Sequence, residues 1–315
     1  MSRFPTLAGL AALMAGTVLQ AGEVTLPGPQ GPLSATAIAV PDARHAVVLI
    51  PGSGPTDRDG NGPLLQSNTY RLLAEGLAAA GVASLRVDKR GMFASARAIP
   101  DPNAVTLAAY AEDARAWVGQ ARALAPCVWL MGHSEGGLVA LLAANDPPPG
   151  LCGLILLSTP GRPLGQLMVE QMAANPFAGL LMADMKSVVA SLSRGETRDP
   201  ATLPPGLQPL FPAAVQPYLI DLFSYDPATL AAGWPGPALI VQAGKDIQVT
   251  AADAERLAAA LPQAQRLALP TATHMLKPDR PGLPLATYSD PTAPLDPGLI
   301  PALAGFLAAH SPVAE

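Results

Sequence analysis

The sequence predicts an α/β fold, with a mainly parallel sheet flanked by helices and a helical cap inserted after the sixth strand. Two observations lead to this prediction. Short, continuously apolar runs, as expected of strands buried on both faces, alternate with segments of helical periodicity, the pattern of βαβ units. This alternation is lost from about residue 161 to residue 236, and a segment of that length is too long for a loop.

The composition indicates a protein that can bury a sizeable core. Of 315 residues, 50% are hydrophobic and 14% are charged. The net charge is -5, the sequence pI is about 5.4, and no predicted helical face carries a cluster of Lys or Arg. A nucleic-acid partner is therefore not expected.

The first 22 residues have the layout of a secretory signal peptide, with one basic residue, an apolar run and then small residues. We expect the mature protein to be exported, either periplasmic or secreted, and to have no stable membrane span after removal of this leader. The alternatives are a short membrane anchor or a buried helix, but the run is too short to span a bilayer comfortably. The predicted division is a leader at 1–22, a core at 23–160, a cap at 161–236 and the rest of the core at 237–315.

The predicted elements follow from hydrophobic periodicity and from turn residues. Strands are predicted at 23–26, 34–40, 46–50, 83–87, 128–131, 154–157, 238–242 and 266–269, the first two as an antiparallel edge. Helices are predicted at 70–80, 106–124, 138–144, 251–260 and 299–309, and helical pieces of the cap at 167–174 and 180–192. The methionines of the cap, which recur near helical spacing, are interpreted as core packing or as a pliable wall over an acyl pocket: Met168, Met172, Met182 and Met185.

Residues 132–137, Gly-His-Ser-Glu-Gly-Gly, stand between a predicted strand and a predicted helix. Gly-x-Ser-x-Gly at such a turn is typical of a nucleophile elbow, which exposes Ser134 at the carboxyl edge of the sheet. The backbone N–H of Glu135, at the start of the helix, could then face a developing oxyanion. A second donor is expected from Ser53, in the Pro-Gly-Ser-Gly-Pro loop at 51–55 that follows another strand.

The general base is assigned by elimination among four histidines. His45 precedes its strand, His310 lies in the last helix, and His133 lies within the elbow and is expected to point away from the serine oxygen. His274 follows a strand, in a loop at the correct edge of the sheet. It is therefore the predicted base, taking the serine proton and returning it to the leaving group.

Four carboxylates could orient this imidazole: Asp246, Asp253, Asp221 and Asp226. Asp246 is favoured because it directly follows a predicted strand, where it can accept a hydrogen bond from His274. Asp253 falls inside the next helix. The other two lie in the cap, which is less suited to holding an imidazole rigidly.

Two clusters of charged residues flank these elements. Residues 56–62 combine charges with turn residues, which Asx turns and an internal Asp–Arg pair explain, although a contact with substrate is the alternative. After the strand at 83–87, an ion pair between Asp88 and Arg90 is expected near the site.

Cys127 and Cys152 are the two cysteines of the chain, each just ahead of a predicted core strand. If these strands are parallel neighbours, the two thiols lie at the same end of both, within bridging distance. We expect a disulfide in an oxidising compartment, and two buried free thiols otherwise.

With these motifs in place, the chain resembles a serine esterase of the α/β-hydrolase superfamily, over nearly all of residues 46–309. The order Ser134, Asp246, His274 matches the nucleophile, acid and base of that family, and the loop at 51–55 stands where the family has its His-Gly oxyanion loop, with proline in place of the histidine. The resemblance implies acyl-enzyme chemistry on a small-molecule ester, without a cofactor or metal.

Two other functions remain open from the sequence. A peptidase of the same fold, such as an aminopeptidase, would need a carboxylate in the cap to hold a substrate amine, and Asp184, Glu170 and Asp221 are candidates. A catalytically silent binding protein could retain the fold, since a fold alone does not establish function.

Overall fold

The structure is a computed structural model that describes residues 21–283 and 285–310. The first 20 residues of the predicted leader lie outside this range. The last two, Ala21 and Gly22, belong to the first strand and pair with Ile38 and Ala37. Strand β1 therefore includes two residues that the prediction assigned to the leader.

Eight strands form one sheet in the order β1-β2-β6-β3-β7-β8-β9-β10, and β4 and β5 form a separate hairpin. The contacts of β2 with β1 and β6 are antiparallel, and the remaining pairings in the large sheet are parallel, which confirms the predicted fold class. The strands are β1 (Ala21–Pro27), β2 (Pro32–Ile38), β3 (His45–Ile50), β4 (Asn61–Gly62), β5 (Leu65–Gln66), β6 (Ala83–Val87), β7 (Cys127–His133), β8 (Leu151–Leu157), β9 (Ala238–Ala243) and β10 (Gln265–Leu269).

Helices cover both faces of the sheet. The described helices are α1 (Thr69–Ala79), α2 (Leu107–Ala121), α3 (Glu135–Ala144), α4 (Leu164–Ala173), α5 (Met182–Ser193), α6 (Gln216–Phe223), α7 (Pro227–Ala232), α8 (Ala251–Ala260) and α9 (Leu299–Ala309). Buried residues of α2, α3 and α8 pack in the core on one face, and those of α1 and α9 pack in the core on the other.

Residues 46–50 of strand β3 are all apolar, and their burial on both faces of the sheet explains this. Val48 and Ile50 belong to the core on one face of the sheet, whereas Val47 and Leu49 belong to the core on the other. Because side chains of a strand alternate between faces, a strand covered on both sides must be apolar at every position. This burial fixes the register of β3 and so the place where the loop after Ile50 begins.

Residues 161–236, called the inserted segment below, lie between β8 and β9 and contain α4 to α7. Helices α4 and α5 correspond to the two helical pieces expected from the sequence, but α6 and α7 were not predicted. Both contain proline in their first turn, at Pro217 and Pro227. Proline is compatible with that position because the first N–H groups of a helix have no intrahelical partner.

A disulfide joins Cys127, the first residue of β7, to Cys152, the second residue of β8, with a Cα–Cα distance of 5.6 Å. The predicted bridge is thus present, and it links neighbouring parallel strands at their amino ends. In the part of the chain that the structure describes, no helix combines the length and the apolar character needed to cross a membrane.

Candidate active site

Ser134 occupies a sharp turn between β7 and α3, with φ 53° and ψ -125°. A positive φ is rare for a residue with a side chain and is tolerated where surrounding structure enforces it. The enforcement here is close packing. A Cβ atom on Gly136 would overlap the carbonyl oxygen of Ile50, and one on Gly132 would overlap the backbone of Gly136. The two glycines of the motif are therefore needed for the elbow to fit against β3.

His274 and Asp246 form a hydrogen-bonded pair, with 2.7 Å between Nδ1 of the imidazole and Oδ2 of the carboxylate. The other oxygen of Asp246 accepts hydrogen bonds from the backbone N–H groups of Gln248 (2.8 Å) and Val249 (2.9 Å). Burial would raise the pKa of Asp246, but the imidazole and the two N–H donors outweigh it and lower this pKa below its ordinary value. The carboxylate of Asp246 is therefore ionised. Because it contacts Nδ1 of His274, the other ring nitrogen, Nε2, points away from Asp246.

Ser134 and His274 line the same cavity, of about 200 Å³, together with Ser53. The structure thus brings the predicted nucleophile and base to one opening at the carboxyl edge of the sheet, with the predicted acid behind the base. Ser53 and Glu135, the residues predicted to supply oxyanion donors, both border a second cavity that also contacts Ser134.

The three carboxylates considered besides Asp246 as the partner of His274 are bonded to other groups. Asp253 accepts hydrogen bonds from Thr250 at the start of α8 and forms an ion pair with Arg162 (2.7 Å). Asp226 caps α7, and Oδ2 of Asp221 accepts a hydrogen bond from the backbone N–H of Leu107 (2.6 Å). Each of the three has a role in joining helices to the body of the protein.

A buried ion pair supports the loop that follows β3. Nζ of Lys89 lies 3.0 Å from Oε1 of Glu135, and the side chains are 3% and 1% exposed. The same ammonium donates a hydrogen bond to the carbonyl oxygen of Gly52 (2.7 Å). The carbonyl of Gly52 and the N–H of Ser53 belong to the same planar peptide unit. The contact with Lys89 therefore also fixes the direction of the Ser53 N–H.

The site also contains a hydrogen-bonded chain that the sequence reading missed. The backbone N–H of Gly52 donates to the hydroxyl of Tyr70 (3.0 Å), which lies 2.8 Å from Nδ1 of His133. Nε2 of His133 lies 2.8 Å from the carbonyl oxygen of His274. A carbonyl can only accept, so Nε2 carries the proton and Nδ1 accepts from Tyr70. Burial lowers the pKa of His133 to about 3, with His274 adding to the effect, so its ring is neutral at ordinary pH.

The predicted pairing of the flanking charges is wrong. Asp88 pairs with Arg58, at 2.8 Å from Nε, and Arg90 pairs with Asp113, at 2.6 Å. The Arg–Asp pair expected within residues 56–62 is also absent, because Arg58 is held by Asp88 and Asp59 contacts Arg86 (2.9 Å). These partners are far apart in sequence, so local spacing carried no signal for them.

Two observations concern the interpretations given above for residues 56–62, an Asx turn and a position near the substrate. The carboxylate of Asp57 accepts hydrogen bonds from the N–H groups of Asp59 and Asn61, which is an Asx turn as expected. Thr56 lines the cavity of Ser134 and His274.

Two interpretations were given above for the methionines of the inserted segment, and each fits a different residue. Met168 lines the second cavity, whereas Met185 is buried in the core.

Lys277 holds the turn that contains His274. Its side chain is fully buried, and Nζ donates to the carbonyl oxygens of Ser67 (2.5 Å) and Asp290 (2.8 Å). Its own carbonyl accepts a hydrogen bond from the N–H of Thr273 (2.8 Å). Across the described residues, no group of three or more His, Cys, Asp or Glu side chains is arranged to hold a metal ion.

A mainly parallel eight-stranded sheet, a serine elbow after β7 and a histidine–aspartate pair following later strands define the α/β-hydrolase class. The chain therefore has the α/β-hydrolase fold. Comparisons with known proteins agree with this assignment.

Residues 61–204 match the model of a family described as "Serine aminopeptidase, S33". The chain is 30% identical over 240 residues to "Esterase EstD" of Thermotoga maritima, an alignment that covers 74% of this chain and 52% of EstD. The chain therefore spans about half of the length of this curated relative.

Among solved structures, the fold is similar to Est1E from Butyrivibrio proteoclasticus, with a TM-score of 0.58, 17% identity and coverage of 92% of this chain and 98% of that one. It is also similar to the Pyrococcus furiosus esterase Pf2001, with a TM-score of 0.58, 16% identity and coverage of 93% and 92%. At these identities the likeness concerns the fold.

Proposed function

We propose that this protein hydrolyses carboxylic esters through an acyl-enzyme, with Ser134 as nucleophile, His274 as general base and acid, and Asp246 as the carboxylate that orients it. The observation that carries the proposal is the arrangement of the elbow serine and the His274–Asp246 pair at one cavity. The similarity to EstD, which is described as an esterase, supports the same activity.

In the first step, Nε2 of His274 accepts the hydroxyl proton of Ser134 as Oγ bonds to the ester carbon. The N–H groups of Ser53 and Glu135 hold the oxyanion that forms. The bond to the alcohol oxygen then breaks, and that oxygen receives the proton from His274. In the second step, water loses a proton to His274 and attacks the acyl carbon, which releases the acid and returns the proton to Ser134.

An aminopeptidase would need a free carboxylate near Ser134 to hold the substrate ammonium. Among the described residues that line the two cavities at Ser134, Glu135 is the only carboxylate, and Lys89 neutralises it. The candidates in the inserted segment lie elsewhere: Asp221 caps α2, Glu170 contacts Arg162, and Asp184 is exposed. This distribution of charge favours an ester over an aminoacyl substrate.

The test compares nitrophenyl esters with aminoacyl nitroanilides on the wild type, Ser134→Ala and Ser224→Ala, an exposed serine at the end of α6. We expect ester hydrolysis by the wild type and Ser224→Ala, and little activity from Ser134→Ala. A fluorophosphonate should label Ser134. Full activity in Ser134→Ala, or faster cleavage of the anilides than of the esters, would overturn the proposal.

The role of Asp246 is tested by Asp246→Asn, with Asp253→Asn as a matched control that alters a buried aspartate bonded to Arg162. We expect kcat to fall by about 10²- to 10⁴-fold in Asp246→Asn because the imidazole loses its orientation and the stabilisation of its cation. Asp253→Asn should lower stability and leave the kcat of the folded enzyme near that of the wild type. The reverse pattern would make Asp253 the acid.

We also propose that the protein is exported and that the inserted segment is a cap over the site. The Cys127–Cys152 disulfide supports an oxidising compartment, since such bridges are rare in the reducing cytosol. Leu164, Met168 and Leu219, from α4 and α6, line a cavity at Ser134, which supports the role of a cap. Mass analysis of the secreted and cellular fractions of an expressing strain tests export, which requires a shortened chain outside the cytoplasm.

A further inference from the structure

Two cavities meet at Ser134 and share Ser53, Ser134 and Gln248. The first, called the hairpin cavity, extends toward the β4–β5 hairpin and has a volume of about 200 Å³. The second, called the insert cavity, lies under α4 and α6 and has a volume of about 330 Å³. An ester bound with its carbonyl carbon at Ser134 has two arms, and each arm can occupy one cavity.

The position of His274 decides which arm goes where. The leaving alcohol must receive its proton from the imidazole, so its oxygen must lie beside His274. His274 lines the hairpin cavity and is not among the residues that line the insert cavity. The insert cavity instead borders Glu135, on the side of the elbow where the oxyanion donors are expected. The alcohol arm therefore belongs in the hairpin cavity and the acyl arm in the insert cavity.

The walls of the two cavities differ in chemistry. The insert cavity is lined chiefly by apolar side chains of the inserted segment: Leu164, Leu167, Met168, Val215, Leu219 and Leu222. Such a wall favours a hydrocarbon chain, because its binding removes apolar surface from water. At about 330 Å³ the insert cavity is larger than the hairpin cavity and has room for an acyl chain of several carbons.

The hairpin cavity is smaller and more polar. Thr56 and Tyr288 contribute a hydroxyl and a phenol, and Nε2 of Gln248, which borders both cavities, donates to the hydroxyl of Tyr288 (2.7 Å). These groups can exchange hydrogen bonds with hydroxyls of a compact alcohol. A bulky apolar alcohol would instead displace water from these groups without replacing the hydrogen bonds that the water makes.

From these observations, and resting on the ester hydrolysis proposed above, we infer that the substrate is an ester of a medium-chain fatty acid with a small polar alcohol. The acyl chain lies in the insert cavity, and the alcohol lies in the hairpin cavity. The two halves of the substrate are therefore selected by different parts of the chain: the inserted segment contacts the acyl chain, and the loops that carry Thr56 and Tyr288 contact the alcohol.

The experiment measures kcat/KM on two substrate series, nitrophenyl esters from acetate to palmitate and octanoate esters of glycerol, benzyl alcohol and cyclohexanol. For the wild type we expect an optimum at medium acyl length, and preference for the glycerol ester over the cyclohexyl ester. A steady fall from acetate onward, or preference for the cyclohexyl ester, would overturn the inference.

Two matched variants assign the cavities. Met168→Trp narrows the insert cavity, and Leu65→Trp narrows the hairpin cavity; both side chains are half-buried in the free protein. Met168→Trp should lower octanoate hydrolysis about tenfold or more relative to acetate and leave the ranking of alcohols unchanged. Leu65→Trp should change the ranking of alcohols and leave the acyl optimum unchanged. Exchanged responses would reverse the assignment.

Two further measurements keep these outcomes interpretable. Met168→Phe replaces Met168→Trp if the larger ring prevents folding, and the rate of fluorophosphonate labelling reports an intact Ser134 in each variant. If the wild type hydrolyses no ester and is not labelled, the proposed function itself fails. If it hydrolyses esters but the variants change the wrong half of the selectivity, the assignment of the cavities alone is wrong.

Discussion

The hydroxyl of Tyr70 lies 2.8 Å from Nδ1 of His133 and connects two loops of the site that are remote in sequence. On one side, Tyr70 accepts the N–H of Gly52, next to the predicted oxyanion donor Ser53. On the other side, the His133 ring donates to the carbonyl of His274. One buried chain of hydrogen bonds therefore ties the loop after β3 to the turn that carries the predicted base.

Tyr70→Phe should break this chain. Removal of the hydroxyl leaves the N–H of Gly52 and Nδ1 of His133 buried without their partner, and an unsatisfied buried group costs about 1–3 kcal/mol of unfolding free energy. We also expect a lower kcat, because both loops lose a common support. Urea unfolding and ester hydrolysis measure the two effects.

Tyr110→Phe is the matched control. Tyr110 is similarly buried, but among the described atoms its hydroxyl has no hydrogen-bond partner. Its removal should leave stability and kcat nearly unchanged, and the ring that Lys89 faces at 5.2 Å is retained. If Tyr70→Phe and Tyr110→Phe change stability and kcat by the same amount, the hydroxyl of Tyr70 does not support the two loops.

The Lys89–Glu135 pair leads to a second prediction. Lys89→Met leaves the carboxylate of Glu135 buried without its cation, which should destabilise the fold by about 3–5 kcal/mol. Because Gly52 also loses its contact with the ammonium, kcat of the folded fraction should fall by about tenfold to hundredfold. Urea unfolding and assays at low temperature separate these effects.

The double variant Lys89→Met/Glu135→Leu separates charge burial from positioning. It should recover most of the lost stability, since neither charge remains, while kcat stays low. Arg194→Met removes the cation of an exposed pair with Glu196 and should change neither quantity measurably. Recovery of kcat together with stability would show that Lys89 has no role in holding Gly52.

The succession of strands along the chain and the position of the serine elbow could be predicted because local sequence patterns specify them. A strand covered on both faces is expected to contain a continuous apolar run, as at residues 46–50 of β3, and a serine at positive φ needs small neighbours such as Gly136. The helices α6 and α7 could not be recognised in this way. Each has a proline in its first turn, Pro217 or Pro227, where proline is compatible with the start of a helix, but no helix was predicted there.

The polar network of the site was much less predictable. Asp246 and His274 were identified because each follows a strand at the correct edge, and the structure places them in contact. Tyr70 was predicted only as the first residue of a helix, and His133 was set aside because it was expected to point away from the serine oxygen. Their partners come from other parts of the chain, so only the folded structure shows that they connect the two loops.

Gly136→Ala should damage the elbow. The added methyl group would overlap the carbonyl oxygens of Ile50 and Pro51, so either β3 or the turn at Ser134 must move. We expect a loss of about 1–3 kcal/mol in unfolding free energy from overpacking, together with a large loss of ester hydrolysis. Differential scanning calorimetry and the esterase assay provide the measurements.

For Gly119→Ala we expect a gain in unfolding free energy, in contrast to Gly136→Ala. Gly119 lies in α2, and a Cβ there would meet nothing within 4 Å. Alanine should therefore stabilise the helix by about 0.4–1 kcal/mol, with unchanged activity. Equal destabilisation by both alanines would contradict the packing explanation for Gly136.

Lys277 gives a pH dependence of stability. Burial lowers its pKa from the ordinary 10.5 to about 8, with Asp290 opposing this and Arg280 adding to it. Between pH 8 and 10.5 the unfolded chain then binds more protons than the folded one, so this group makes the fold more stable as the pH rises through that window. The increase is at most about 3 kcal/mol.

Urea unfolding across this range, for the wild type and Lys277→Met, isolates the contribution. The variant should be less stable overall, because two carbonyl oxygens lose their donor, and it should lack this increase with pH. The difference between the two curves is the observable, since other titrating groups are common to both. Parallel curves would mean that Lys277 has an ordinary pKa in the folded protein.

The account depends most on the covalent reaction of Ser134. The most direct measurement is mass spectrometry of wild-type protein quenched during turnover of a nitrophenyl ester, followed by peptide mapping. We predict a mass increase equal to the acyl group on the peptide that contains Ser134. Turnover with no acyl group on Ser134, or with the group on another residue, would contradict it.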